Sequence, residues 1–140
     1  MGAVILVADA DPDTREQLVA GLGEHGVADR IEGCDTGRAL VAAFTRALRV
    51  GDLVAAVVLD TKLPAGGGKS SAIALRAVER AFDVPPAGFV FHSSTPRDEN
   101  LDRVLEWLGQ AAYRQRPADD PSGEVSLAEL LGALQEVRAA

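Results

Sequence analysis

Two carboxylates stand where an apolar run gives out into a loop. Asp60 follows Leu53–Leu59 and precedes Thr61-Lys62-Leu63-Pro64-Ala65-Gly66-Gly67-Gly68; Asp9 follows Ala3–Ala8 and precedes Ala10-Asp11-Pro12. Carboxylates gathered at one edge of a sheet can hold a hard cation, or attack an electrophile as nucleophiles. In an open α/β sheet, ligands and chemistry collect at the carboxyl ends of the strands. Taken singly, Asp60 reads as a solvated acid at a strand end. Asp11 reads as the cap and N-terminal charge of the helix that follows it.

The elements that would position these acids alternate in type. Short apolar runs at Val4–Ala8, Ala28–Cys34, Val54–Asp60, Gly88–Ser93 and Ala111–Gln115 read as strands. Amphipathic segments near Pro12–Glu24, Gly37–Arg49, Ser70–Phe82, Pro96–Gly109 and Leu127–Ala139 read as helices. Start signals accompany them: Asp11 before Pro12, Thr36 before Gly37, Thr95 before Pro96, and a capping box of Ser126 with Glu129. Asp83-Val84-Pro85-Pro86 ends the third helix, since proline cannot continue it. Strict alternation implies right-handed βαβ units and a parallel sheet covered on both faces. Five units in 140 residues fit one flavodoxin-like domain with strand order 2-1-3-4-5, which makes Asp9 and Asp60 neighbours. The segment around 118–124, rich in Asp, Pro, Ser and Gly, reads as a mobile surface loop.

Composition narrows the function. A formal net charge of −7, with basic residues scattered among acids, argues against nucleic acid as a direct ligand. The longest unbroken apolar run, Leu53–Leu59, is far too short for a membrane span, and the N-terminus lacks a basic leader; a cytoplasmic protein is expected. Cys34 is the single cysteine and lies in an apolar stretch, so a buried, inert thiol is expected.

Four segments together resemble the receiver domains of two-component response regulators, over essentially the whole chain and in the family's order. Ile5-Leu6-Val7-Ala8-Asp9-Ala10-Asp11-Pro12 resembles the opening strand with its acids, and Leu59-Asp60-Thr61-Lys62-Leu63-Pro64 the phosphoacceptor segment. Phe89-Val90-Phe91-His92-Ser93-Ser94 resembles the fourth strand with its switch hydroxyl. Tyr113-Arg114-Gln115-Arg116-Pro117 resembles the fifth, with arginine in place of lysine. The resemblance implies a bacterial signalling protein that is not itself an enzyme. It implies phosphorylation of Asp60, Mg²⁺ held by Asp9 and Asp60 with weak help from Asp11, and phosphoryl contacts from Ser93 and Arg116. Tyr113 becomes the rotameric reporter, and the face of helix four, strand five and helix five meets a histidine kinase or downstream effector. Trp107, on the flank of the stripe Leu101-Val104-Leu105-Leu108, is a docking candidate beside that face. Oligomeric state stays open, as does whether the chain acts alone or within a longer protein.

Two departures from the family pattern bear on the chemistry. Ala10 stands where a second acidic ligand is usual, so Mg²⁺ binding is expected to be weak. Arg116 keeps a positive charge but offers a planar fork where lysine offers a point charge. Lys62 adds a further cation, and the expectation is that Lys62 and Arg116 pair with Asp60 and Asp9 in partial substitution for the metal. A degenerate receiver that acts as a phosphorylation-independent interaction module is the competing reading. A third, a nucleotide-binding protein built on Gly68-Lys69-Ser70, fails on spacing: the phosphate-loop pattern needs glycine at position 63, which is Leu63. There the bland reading is a flexible loop before a helix capped by Ser70 or Ser71. His92 and Ser93 do not make a hydrolytic dyad, because neighbouring strand residues point to opposite faces. His92 is expected to be a semi-buried packing residue, and His25 a surface residue.

Overall fold

The chain runs β1 (Ala3–Ala8), α1 (Pro12–Glu24), β2 (Arg30–Cys34), α2 (Gly37–Arg49), β3 (Leu53–Leu59), α3 (Gly68–Phe82), β4 (Gly88–Ser93), α4 (Glu99–Leu108), β5 (Ala111–Gln115) and α5 (Glu124–Arg138) in a computed structural model. The structure describes residues 2–138, so Ala139, the expected end of the last helix, lies outside the described residues. All five strands are parallel, in the order β2-β1-β3-β4-β5. The flavodoxin-like arrangement expected from alternation is therefore present.

Alternation along each strand sorts the core into two layers. Leu6, Val57, Phe89 and Phe91 point to one face, where they meet Leu40 and Phe44 of α2, Leu75 of α3 and Leu101 and Leu105 of α4. Ile5, Val7, Val58 and Val90 point to the other, against Leu18 and Leu22 of α1 and Leu130 and Leu134 of α5. Burial of each such side chain stabilises the fold by roughly 1.5–3 kcal/mol, which is why the central strands are apolar on both faces.

One polar group sits inside the first layer. Arg76 of α3 donates to the carbonyl oxygens of Leu108 and Ala87, pairs with Glu79 at 2.8 Å, and stacks its guanidinium 4.2 Å from the Phe89 ring centroid. Glu79 in turn accepts from the Ala87 amide at 2.6 Å. The buried charges thus have partners on every side, and they tie α3 to the start of β4 and the end of α4.

Three helix starts differ from expectation. Helix α3 begins at Gly68, with Gly67 rather than Ser70 or Ser71 in the cap position; Gly67 has φ 69°, a conformation glycine adopts at little cost. Helix α4 begins at Glu99 because the Asp98 carboxylate accepts from the Leu101 amide at 2.7 Å. Thr95 lies three residues before this cap, and its hydroxyl has no hydrogen-bond partner among the described residues. Helix α5 begins at Glu124, with Ser126 inside it, and no Ser126–Glu129 box forms: Asp120 accepts from the Val125 and Ser126 amides at 3.3 and 2.9 Å. The loop around 118–124 is also tied to α1, since Gln17 Nε2 donates to the Pro121 carbonyl at 3.0 Å.

Candidate functional site

The first residues beyond β1 and β3 are Asp9 and Asp60, and the strands are paired up to Ala8 opposite Leu59. Backbone bonds carry the ladder one step further: the Asp60 amide donates to the Ala8 carbonyl and the Asp9 amide to the Cys34 carbonyl, both at 3.0 Å. The two carboxylates are consequently held in one cleft and nearly buried, Asp9 at 3% and Asp60 at 8% exposure.

Asp9 is fully engaged. Its Oδ1 accepts from the Asp11 amide at 2.9 Å, and its Oδ2 pairs with Arg116 Nη1 at 3.2 Å. Arg15 Nη1 adds a hydrogen bond to the Asp9 carbonyl at 2.8 Å. Burial raises the Asp9 carboxyl above its ordinary pKa, with a further push from Asp60. The Asp11 amide and Arg116 pull the other way without cancelling it. Arg116 is positioned from β4: its own amide donates to the Ser93 carbonyl at 2.8 Å.

Asp60 Oδ1 accepts from the backbone amide of Lys62 at 3.1 Å. The Lys62 side chain is exposed, and its ammonium pairs with no carboxylate among the described residues. The expected Lys62–Asp60 ion pair is thus replaced by an amide contact, because the turn after β3 directs the backbone inward and the side chain out. Of the two anticipated pairings, the one between Arg116 and Asp9 forms.

Beside Asp60 lies a chain of hydroxyls. Ser93, fully buried, shares a hydrogen bond of 2.9 Å with Thr61 Oγ1 and accepts from the Thr95 amide at 3.1 Å. The Tyr113 hydroxyl donates to the Thr95 carbonyl, with its ring packed in the core layer under α4. Burial raises the Tyr113 pKa, and Asp60 adds to the effect. These bonds tie the start of the β4–α4 loop to Ser93 and Tyr113. Thr61 and Arg15 were not singled out in the sequence. Thr61 is legible only as the hydroxyl adjoining Asp60, and Arg15 only as a cation on the first turns of α1.

Asp11 faces the helix instead of the cleft. Its carboxylate accepts from the Asp13 amide at 3.2 Å and from the Thr14 hydroxyl at 2.7 Å, and the Thr14 bond is the main cause of its lowered pKa. The capping reading of Asp11 therefore holds, and its expected help with a metal has no structural counterpart. Among the described residues no three His, Cys, Asp or Glu side chains are grouped as metal ligands. Mg²⁺ wants one or two free carboxylates with phosphate and water oxygens. Asp9 carries a guanidinium, Ala10 contributes a methyl group, and Asp11 caps a helix. Asp60 Oδ2 alone among the site's carboxylate oxygens lacks a protein partner among the described residues. As arranged, the residues do not fit the ion.

His92 is buried more deeply than expected, at 1% exposure, and neither ring nitrogen has a hydrogen-bond partner among the described residues. It shares the face of Val90, away from Ser93 and Phe91, as strand alternation requires. Burial lowers its pKa to about 4, with Arg116 acting in the same direction. Cys34 is buried, and burial pushes its thiol up to about 11. His25 is exposed at the end of α1.

The glycine-rich segment after Asp60 serves packing. A Cβ at Gly68 would stand 2.0 Å from the Asp60 carbonyl oxygen. The Gly67 and Gly68 amides donate to Leu63 and Thr61, both at 3.0 Å, and Lys69 Nζ donates to Asn100 at 2.7 Å. Amides already committed in this way form no phosphate cradle. Trp107 is 53% exposed and lies on the α3 side of α4, with the Arg80 guanidinium 5.9 Å from its ring centroid.

No family model and no curated relative matches the sequence. Solved structures do match. The receiver domain of the histidine kinase CKI1 from Arabidopsis thaliana, complexed with Mg²⁺ and BeF₃⁻, superposes with a TM-score of 0.79 at 20% identity, covering 98% of this chain and 90% of that one. Chemotaxis protein CheY4 of Vibrio cholerae gives 0.72 at 18%, covering 98% and 99%. A response regulator receiver protein from Pseudomonas putida gives 0.71 at 20%, covering 97% and 98%. The chain has the receiver-domain fold. In this receiver fold Asp9, Asp60, Ser93 and Arg116 meet at one sheet edge, linked through Thr61 and the strand ends.

Proposed function

We propose that this receiver-fold protein is a two-component-type signalling module that accepts a phosphoryl group on Asp60 and presents the α4–β5–α5 face to a protein partner. The observation that carries the reading is the state of Asp60: a nearly buried carboxylate with one oxygen held by an amide and the other without a protein partner among the described residues, beside Thr61 and Ser93. Asp60 Oδ2 attacks the phosphorus of a phosphohistidine on a partner kinase. A P–O bond forms as the donor P–N bond breaks, the histidine leaves with its electron pair, and an acyl phosphate results. Phosphoryl transfer depends on charge neutralisation, for which Arg116 is the nearby cation. The chain is the substrate of this transfer and is not itself an enzyme.

The partner face is supported by an open groove of about 610 Å³ between α4 and β5, lined by Arg97, Asp102, Leu105, Glu106, Tyr113 and Arg114. Tyr113 reaches both this groove and the Thr95 carbonyl, so a change at Ser93 and Thr95 is felt at the surface. No helix among the described residues is long and apolar enough to cross a membrane. Treatment with a small acyl phosphodonor, followed by intact-mass measurement, tests the reading. One added phosphoryl group, lost in Asp60→Ala, is expected; an unchanged mass at saturating donor refutes it.

A second reading is favoured by the Arg116–Asp9 pair. A cleft in which Asp9 is already paired from within, with Tyr113 tucked under α4, suits a module that binds its partner in one conformation whether or not Asp60 is modified. Partner affinity equal in the native chain and Asp60→Ala, measured with and without donor, is what this reading requires.

A further inference from the structure

We infer that the Arg116 guanidinium is the resident cation of the acidic cleft and excludes divalent metal from Asp9 and Asp60. The inference takes the Asp60 cleft as the functional site but does not require that Asp60 be phosphorylated. It stands on the fit of the residues. Asp9 Oδ2 pairs with Arg116 Nη1 at 3.2 Å, while Asp9 Oδ1 is held by the Asp11 amide at 2.9 Å. Position 10, where a further carboxylate could strengthen a metal site, is alanine. Arg15 brings a second guanidinium to within 2.8 Å of the Asp9 carbonyl.

The pair is built to persist. Arginine meets a carboxylate with a planar fork of donors rather than a single point charge. The Asp9 carboxylate is 4% exposed and the Arg116 side chain 23%, so solvent screens the pair only partly. The Arg116 backbone is anchored to Ser93 and followed by Pro117, which restricts the preceding residue to extended geometry. A dication entering this cleft meets a fixed like charge, and it gains Asp9 only by displacing Arg116.

Calorimetric titration with Mg²⁺, and Mn²⁺ titration followed by electron paramagnetic resonance, test the inference with no phosphodonor present. The native chain, Arg116→Ala and Arg116→Gln are compared, with thermal unfolding as the folding control and the glutamine variant available if alanine fails to fold. Binding about tenfold or more tighter in the Arg116 variants, abolished again by adding Asp60→Asn, is expected from competition for one site. Equal affinity in native and variant chains overturns the inference, as does a gain that survives Asp60→Asn. Because no phosphoryl group is involved, failure to phosphorylate Asp60 leaves this result untouched.

Discussion

Replacing His92 with leucine makes the protein more stable and flattens its acid sensitivity. The ring is buried at 1% exposure with both nitrogens unpaired among the described residues, in the α1–α5 layer and within reach of the charges of Arg116, Asp60 and Asp120. Its pKa falls from 6.5 to about 4 on folding, chiefly through burial. Between those values the unfolded chain binds a proton that the native chain does not. Stability is therefore fully present above about pH 6.5, falls as the pH drops toward about 4, and levels off below. At about 1.4 kcal/mol per pH unit, the ceiling on this loss is roughly 3 kcal/mol. From about pH 7.5 to about pH 5, roughly 2 kcal/mol is realised, because the free imidazole is then almost wholly protonated and the buried one about a tenth. Asp9, whose pKa is raised, acts with the opposite sign as its carboxyl protonates. Asp11 and Asp120, whose pKa values are lowered, withdraw stability only below the ordinary carboxylate range. Urea unfolding of the native chain and His92→Leu at both pH values separates His92 from these groups, since all the others are common to both proteins. The gap between them is expected to widen by about 2 kcal/mol in acid. It begins at roughly 1–3 kcal/mol near neutrality, where leucine removes two unsatisfied nitrogens. Parallel stability curves across that range would sink the reasoning, because they would mean that the ring is solvated or hydrogen-bonded.

Other substitutions probe the supports of the site. Gly68→Ala places a methyl group 2.0 Å from the Asp60 carbonyl oxygen; a loss of about 1–3 kcal/mol in unfolding free energy and slower phosphodonor reaction at Asp60 are expected. Arg76→Met strands Glu79 as an uncompensated buried charge and should cost about 3–5 kcal/mol in urea unfolding, most of it recovered when Glu79→Leu is added. Tyr113→Phe removes the bond to the Thr95 carbonyl, costing about 0.5–1.5 kcal/mol, and hydrogen exchange is expected to speed up between Ser94 and Asp98 while β1 and β3 keep their protection.

Much of the fold was legible because its signals are local. Runs such as Leu53–Leu59 and Phe89–Phe91 are apolar on both faces, the alternation with amphipathic segments imposes a parallel sheet, and that order makes Asp9 and Asp60 neighbours. Caps at Asp11 and Thr36 were readable for the same reason, since their partners lie within three residues. The starts of α4 and α5 were not, because Asp98, past the Thr95-Pro96 signal, caps α4, and Asp120 reaches across a loop to cap α5.

What the chain alone determines, then, is which residues can gather at the carboxyl edge of the sheet. Strand periodicity and the order of elements depend on neighbours in sequence. Which charge meets which was decided only in three dimensions. Arg116 and Asp9 are separated by most of the chain, Lys62 loses the competition for Asp60 to its own backbone amide, and His92 ends without a partner among the described residues. Hydrogen bonds and ion pairs reach only a few ångströms and depend on orientation, so their partners exist only once the backbone has closed.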